Sequence, residues 1–125
     1  MVKWVSEGET ITEAARKMRA DDVDCLPVCG ADNRLKGMLT DRDIVVGVLA
    51  AGRDPGRTRV ADLAVGPPLT LQADDSAAAA LQQMVAHRVR RIPVVVGDAL
   101  LGVVSHSDLA SALGPERVSE FVAAA

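Results

Sequence analysis

Aromatic residues are nearly missing from this chain of 125 residues, which has one Trp, one Phe and no Tyr. That scarcity argues against a nucleic-acid reader that stacks bases on aromatic rings. Net positive charge is missing too: the formal charge is −3, which argues against a phosphate-backbone binder. No apolar run approaches the length of a membrane span. The opening "MVKWVSEGET" has no signal-peptide hydrophobic stretch, so a cytoplasmic protein is the expectation. Cysteine is limited to Cys25 and Cys29, and histidine to His87 and His106. On a strand, residues four apart share a face at a separation of roughly 13 Å, too far for a mutual disulfide. Two cysteines with no nearby histidine make a poor zinc site, so no metal is expected. They read as small buried hydrophobes with free thiols, an intermolecular disulfide or a redox role being the alternatives. No Ser-His-Asp or Cys-His arrangement is suggested by position, and no catalytic residue is assigned. What is plentiful is apolar: 49% of residues are hydrophobic and 25% charged, the profile of a soluble globular protein.

The apolar residues are written twice. Sliding the chain by 66 positions places Val23 on Val89, Leu26 on Ile92, Pro27 on Pro93, Val28 on Val94 and Asp32 on Asp98. Upstream, Ile11, Ala14, Ala15 and Met18 fall on Ala77, Ala80, Leu81 and Met84. Downstream the offset becomes 65, and Leu35, Gly37, Thr40, Asp43 and Ile44 meet Leu100, Gly102, Ser105, Asp108 and Leu109. Such self-similarity is the first thing to read in a chain.

Each copy predicts β-α-β-β-α. Ile11, Ala14, Ala15 and Met18 recur at helical spacing, and Thr10 with Glu13 resembles a capping box. Strands follow at Cys25–Cys29 and over "LKGMLT". The proline in the first of these cannot donate to a ladder, so an edge position or an irregular start is expected. A helix from Asp41 to about Ala51 ends at Gly52. The second copy predicts a helix near Ala77 to His87, strands at Ile92 to Val96 and Leu100 to Val104, and a helix from about His106 to Leu113. "AGRDPGRTR" (Ala51 to Arg59) reads as a linker. "VADLA" (Val60 to Ala64) precedes the second copy, with no clear counterpart at the start of the chain. "GPERVSEFVAAA" reads as a terminal helix whose Val118, Phe121 and Val122 cover the protein or a partner. One unit alone is too small to bury much core. The expected organisation is residues 1–56 and 57–125 as two repeats of an α/β (α+β) fold, packed sheet on sheet with pseudo-twofold symmetry.

The hydrophobic-Pro-Val strand, twice, together with "GMLTDRD" (Gly37 to Asp43) and "GVVSHSD" (Gly102 to Asp108), resembles a tandem pair of cystathionine-β-synthase (CBS) domains, a Bateman module. The resemblance covers nearly the whole chain. "LPVCG", "GMLTDRDIVV" and "VRRIPV" are similar in particular to stand-alone actinobacterial CBS pairs of the hypoxic-response type. The resemblance implies a regulatory, non-enzymatic stress-response module. It implies a homodimer that acts through an unidentified effector protein. It also implies an adenine nucleotide (AMP, ADP or ATP) or an adenosyl compound such as S-adenosylmethionine in a cleft between the repeats. The alternative is a ligand-free dimeric scaffold.

The motif Thr/Ser-x-x-Asp has two readings. A Ser or Thr opening a helix caps free N–H groups, and an acidic residue in the first turn suits the helix dipole. The same geometry suits a nucleotide: N–H groups and a hydroxyl for an anion, and a carboxylate for a ribose diol. The resemblance implies a better site at Arg90, Arg91, Ser105 and Asp108, with Arg88 nearby, since guanidinium groups pair with phosphate. It implies a weaker one at Cys25, Thr40 and Asp43. There Asp22 and Asp24 repel phosphate by about 1 kcal/mol or more at close range. "HRVRR" and "DDVD" also read as solvated charged turns, and His106 as a surface helix residue.

Overall fold

The computed structural model describes residues 4–63, 68–110 and 116–122. It divides into two compact units, Lys3–Pro68 and a second from Leu69 onward.

In the first unit, β1 (Val5–Ser6) leads to α1 (Ile11–Asp21). Thr10 caps α1, its side chain accepting the Glu13 N–H at 3.2 Å, as the sequence expects. Ile11, Ala14 and Met18 face the core, whereas Ala15 is exposed. The apolar stripe is therefore narrower than the sequence spacing alone indicates. α1 stops where Asp22 turns left-handed at φ 53°, a conformation usually left to Gly. β2 (Cys25–Cys29), β3 (Leu35–Thr40) and α2 (Asp41–Ile44) follow. After α2 the helix widens through Val45–Leu49, with Ala50 N–H reaching back to the Val45 carbonyl at 2.8 Å. Gly52, at φ +71°, ends it.

The sheet order is β1-β2-β3, so the proline-bearing strand lies in the middle, not at an edge. The reason is the shortness of β1. It pairs only Val5 with Val28 and Ser6 with Cys29, so Pro27 stands clear of that ladder while it pairs with Met38 on the other side. Val5, Ile11, Ala14, Met18, Leu26, Val28, Leu39, Val48 and Val60 form the core. Each large side chain fully buried there contributes about 1.5–3 kcal/mol.

Ala51 to Arg59 is no free linker. Ile11 N–H donates to the Thr58 carbonyl at 2.9 Å and Thr12 N–H to the Pro55 carbonyl at 3.2 Å, so this segment satisfies the open amides at the start of α1. A short 3₁₀ turn at Val60–Asp62 then lays Val60 in the first core. "VADL" thus closes the first unit, and its counterpart ends the chain rather than opening it.

The second unit repeats these moves: β4 (Leu71–Gln72), α3 (Ala77–His87), β5 (Arg91–Val96), β6 (Ala99–Ser105) and α4 (His106–Leu109), in sheet order β4-β5-β6. Ser76 caps α3 and Arg88 ends it at φ 55°. The expected terminal helix is a 3₁₀ turn, Val118–Phe121. Its Val118 is buried in this unit's own core, against which Phe121 and Val122 pack. Val118 N–H binds the Asp75 carbonyl at 2.9 Å, as Val60 N–H binds that of Glu9 at 2.9 Å. The far end of the helix expected to reach Leu113 lies outside the described residues, as do residues 64–67.

Candidate functional site

Each unit brings its motif, at a strand-to-helix junction, up against the start of the neighbouring strand. In the second, β6 ends at Ser105, which caps α4. Ser105 Oγ accepts the Asp108 N–H at 3.1 Å, and Asp108 Oδ2 accepts the Ser105 N–H at 3.0 Å. Arg91 stands directly across the ladder from Ser105. Arg90 is fastened by its backbone, its carbonyl accepting the His106 N–H at 2.7 Å. Both arginines are exposed, while Ser105 and Asp108 are half-buried.

The first unit has the same frame with other side chains. Thr40 Oγ1 accepts the Asp43 N–H at 3.1 Å, and Asp43 Oδ2 accepts the Thr40 N–H at 2.9 Å. Cys25 stands across the ladder from Thr40, and the Asp24 carbonyl accepts the Asp41 N–H at 2.9 Å. The structure therefore brings Arg91, Ser105 and Asp108 together, and likewise Cys25, Thr40 and Asp43. Arg90 joins the second group through its main chain, by the bond from His106 N–H to its carbonyl.

The reciprocal caps are what the capping reading of the motif requires. Sequence reasoning passed over one participant, Ser107, whose Oγ lies 2.9 Å from Ser105 Oγ. Its signal was its place inside the motif, where the first unit has Arg42.

Neither Cys25 nor Cys29 is in a disulfide bond. Burial, and secondarily the Asp32 charge, push the Cys29 thiol above its ordinary range. Among the described residues no three His, Cys, Asp or Glu side chains are placed to hold a metal ion, and no helix is long and apolar enough to cross a membrane.

Two capped, three-stranded units of the same order define a CBS pair. The chain belongs to the CBS domain family, whose model matches residues 2–49 and 60–115. Hypoxic response protein 1 of Mycobacterium tuberculosis is 44% identical over 123 residues, covering 98% of this chain and 86% of the relative. A crystal structure of Hypoxic Response Protein I with two coordinated zinc ions superposes with a TM-score of 0.82 at 45% identity, covering 90% of this chain and 92% of that one. A hexameric CBS-CP12 protein from bloom-forming cyanobacteria matches at TM-score 0.76 and 27% identity, over 90% of this chain and 65% of that one.

Proposed function

We propose that this protein is a stand-alone regulatory module that binds an adenine nucleotide or adenosyl compound and acts, as a cytoplasmic homodimer in a stress response, on an effector protein. It carries out no reaction of its own. The observation that carries the reading is the placement of Arg91 across from Ser105, whose hydroxyl is locked to Asp108. A guanidinium, a hydroxyl and a carboxylate on one short stretch of sheet and helix match a phosphate and a ribose diol. Thr40, Asp43 and Cys25 form the weaker counterpart, because the cation is replaced by a thiol. Binding would stabilise the liganded arrangement over others, which is how such a module passes on a signal.

The zinc of the solved relative does not transfer readily. Cys25 and Cys29 stand at the two ends of one five-residue strand, and among the described residues no three His, Cys, Asp or Glu side chains are placed to hold a metal ion.

One observation favours the ligand-free scaffold as a second reading: Asp43 and Asp108 each already serve a helix cap. A thermal-shift panel of AMP, ADP, ATP, S-adenosylmethionine and NAD separates the two. A ligand present at a hundred times its dissociation constant stabilises by about 2.7 kcal/mol, a readily measured rise in midpoint. No rise with any compound leaves the scaffold.

A further inference from the structure

From Gly52 to Leu63 the chain is mostly surface: Thr58 and Val60 are buried, Pro55 and Leu63 half-buried, and the rest exposed. Thr58, at 5% exposure, is the one buried polar side chain among the described residues. Its hydroxyl donates within the segment, to the Asp54 carbonyl at 2.8 Å. Asp54 also accepts the Arg57 N–H on its carbonyl at 3.0 Å and the Gly56 N–H on its carboxylate at 2.9 Å. Such local bonds give residues 54–58 a shape of their own. The hydrogen bonds that fasten this loop and the turn after it to the first unit all run to one short piece of chain, residues 7–12. Ile11 and Thr12 donate to the Thr58 and Pro55 carbonyls, while Val60 and Ala61 donate to the carbonyls of Glu9 and Glu7 at 2.9 and 3.0 Å. Arg59 Nη1 donates to the Gly8 carbonyl at 3.0 Å. Val60 is the fully buried apolar anchor. Just upstream stands Gly52, at φ +71°, where even an added Cβ would meet no atom within 4 Å.

We infer that residues 54–62 are a latch, which swings off the start of α1 as one piece about Gly52 while the two sheets stay closed. Exposed backbone hydrogen bonds with few buried apolar contacts are what let a segment open below the energy of global unfolding. The bonds gathered on Asp54 make it leave whole and not fray from one end. Opening takes away the partners of the first two amides of α1. It also lengthens the chain between the units, because the second begins at Leu69. From Leu63 to Leu69 the chain can span at most about 20 Å, and from Gly52 to Leu69 about 60 Å. The latch therefore sets how far the units are able to part, an order–disorder switch that works with or without a nucleotide.

Native-state hydrogen exchange of the full chain, followed amide by amide by NMR, tests this. In wild type the amides of Ile11, Thr12, Val60 and Ala61 should exchange with one shared protection factor, at least about tenfold below that of the slowest amides of β2 and β3. Thr58→Val removes the hydroxyl and keeps the shape. It should speed those four amides together by up to about tenfold, the effect of losing one hydrogen bond. The slowest sheet amides, and the equivalent amides of Ala77 and Val118 in the second unit, should keep their wild-type rates. Thr58→Ser, which retains the hydroxyl, should restore most of the protection. Four amides that exchange only together with the sheet, by global unfolding, would overturn the latch in the wild type alone, whatever the variants do. Four unrelated rates would overturn its opening as one piece. A Thr58→Val change that speeds every amide equally would make Thr58 a core residue like any other and remove it as the pin.

Discussion

The links from α1 to β2 and from α3 to β5 have nearly the same backbone and opposite charge. Asp22 and Arg88 are both left-handed, at φ 53° and 55°. Val23 N–H binds the Met18 carbonyl at 3.1 Å, and Val89 N–H that of Met84 at 3.0 Å. The carbonyls of Asp24 and Arg90 receive the matching amides of α2 and α4. Yet one link reads Asp21, Asp22, Val23, Asp24, Cys25 and the other His87, Arg88, Val89, Arg90, Arg91. The difference teaches what each part of a residue does here. Main-chain groups and the apolar positions hold the frame, because an unpaired amide or an exposed core residue is costly. The exposed side-chain ends carry little folding energy, so they are free to differ, and any difference in ligand between the units resides in them.

The largest effect should come from the frame and be the same in both units. Leu26 and Ile92 are equivalent and fully buried, at 1% and 0% exposure. Truncation of either to Ala should cost about 2–5 kcal/mol, read by urea unfolding. A loss confined to one of the two would break the equivalence of the cores.

The next effect should separate the units. Asp43→Ala and Asp108→Ala remove the same cap bond, so their stability losses should match at roughly 1 kcal/mol. If a nucleotide binds as proposed, Asp108→Ala should weaken it by about tenfold or more, the scale of a hydrogen bond to a charged group, and Asp43→Ala far less. Calorimetric titration decides it: equal losses of affinity would refute the ranking of the two sites.

The smallest effect concerns the hairpins. In the first unit the turn carries Asp32, whose carboxyl is held below its ordinary range by the Arg34 backbone N–H and then by Lys36. The second unit's turn holds the equivalent Asp98 beside Gly97, at φ +63°. A depressed carboxylate adds stability above its unfolded range and loses it as pH falls through the folded one. Asp32→Asn should therefore unfold slightly earlier than wild type near neutrality, and the two midpoints should converge on acidification. A gap that persists in acid would point to a cause other than this charge.

Much of this was legible in the chain because it is local. The doubled phrase, the helices beginning after Thr10 and Ser76, and the caps at Thr40 and Ser105 depend on residues within about one helical turn of each other. So do the left-handed close at Gly52 and the pairing of Thr or Ser with Asp. The candidate site residues were nameable for the same reason: each motif is a contiguous phrase, and the charge contrast beside it is visible in the letters.

What only tertiary structure decided was set by hydrogen bonds between distant segments. The proline strands became central because the strands beside them are two residues long. The stretch from Ala51 to Asp62 joined the first unit because the open amides of α1 and the carbonyls of Glu7 and Glu9 needed partners. Arg91 came to stand opposite Ser105 through a ladder register that includes a shift between Val94 and Val95. A residue's type and its neighbours specify helix, cap and turn, but which far-off backbone group completes a bond depends on how the whole unit closes around its core.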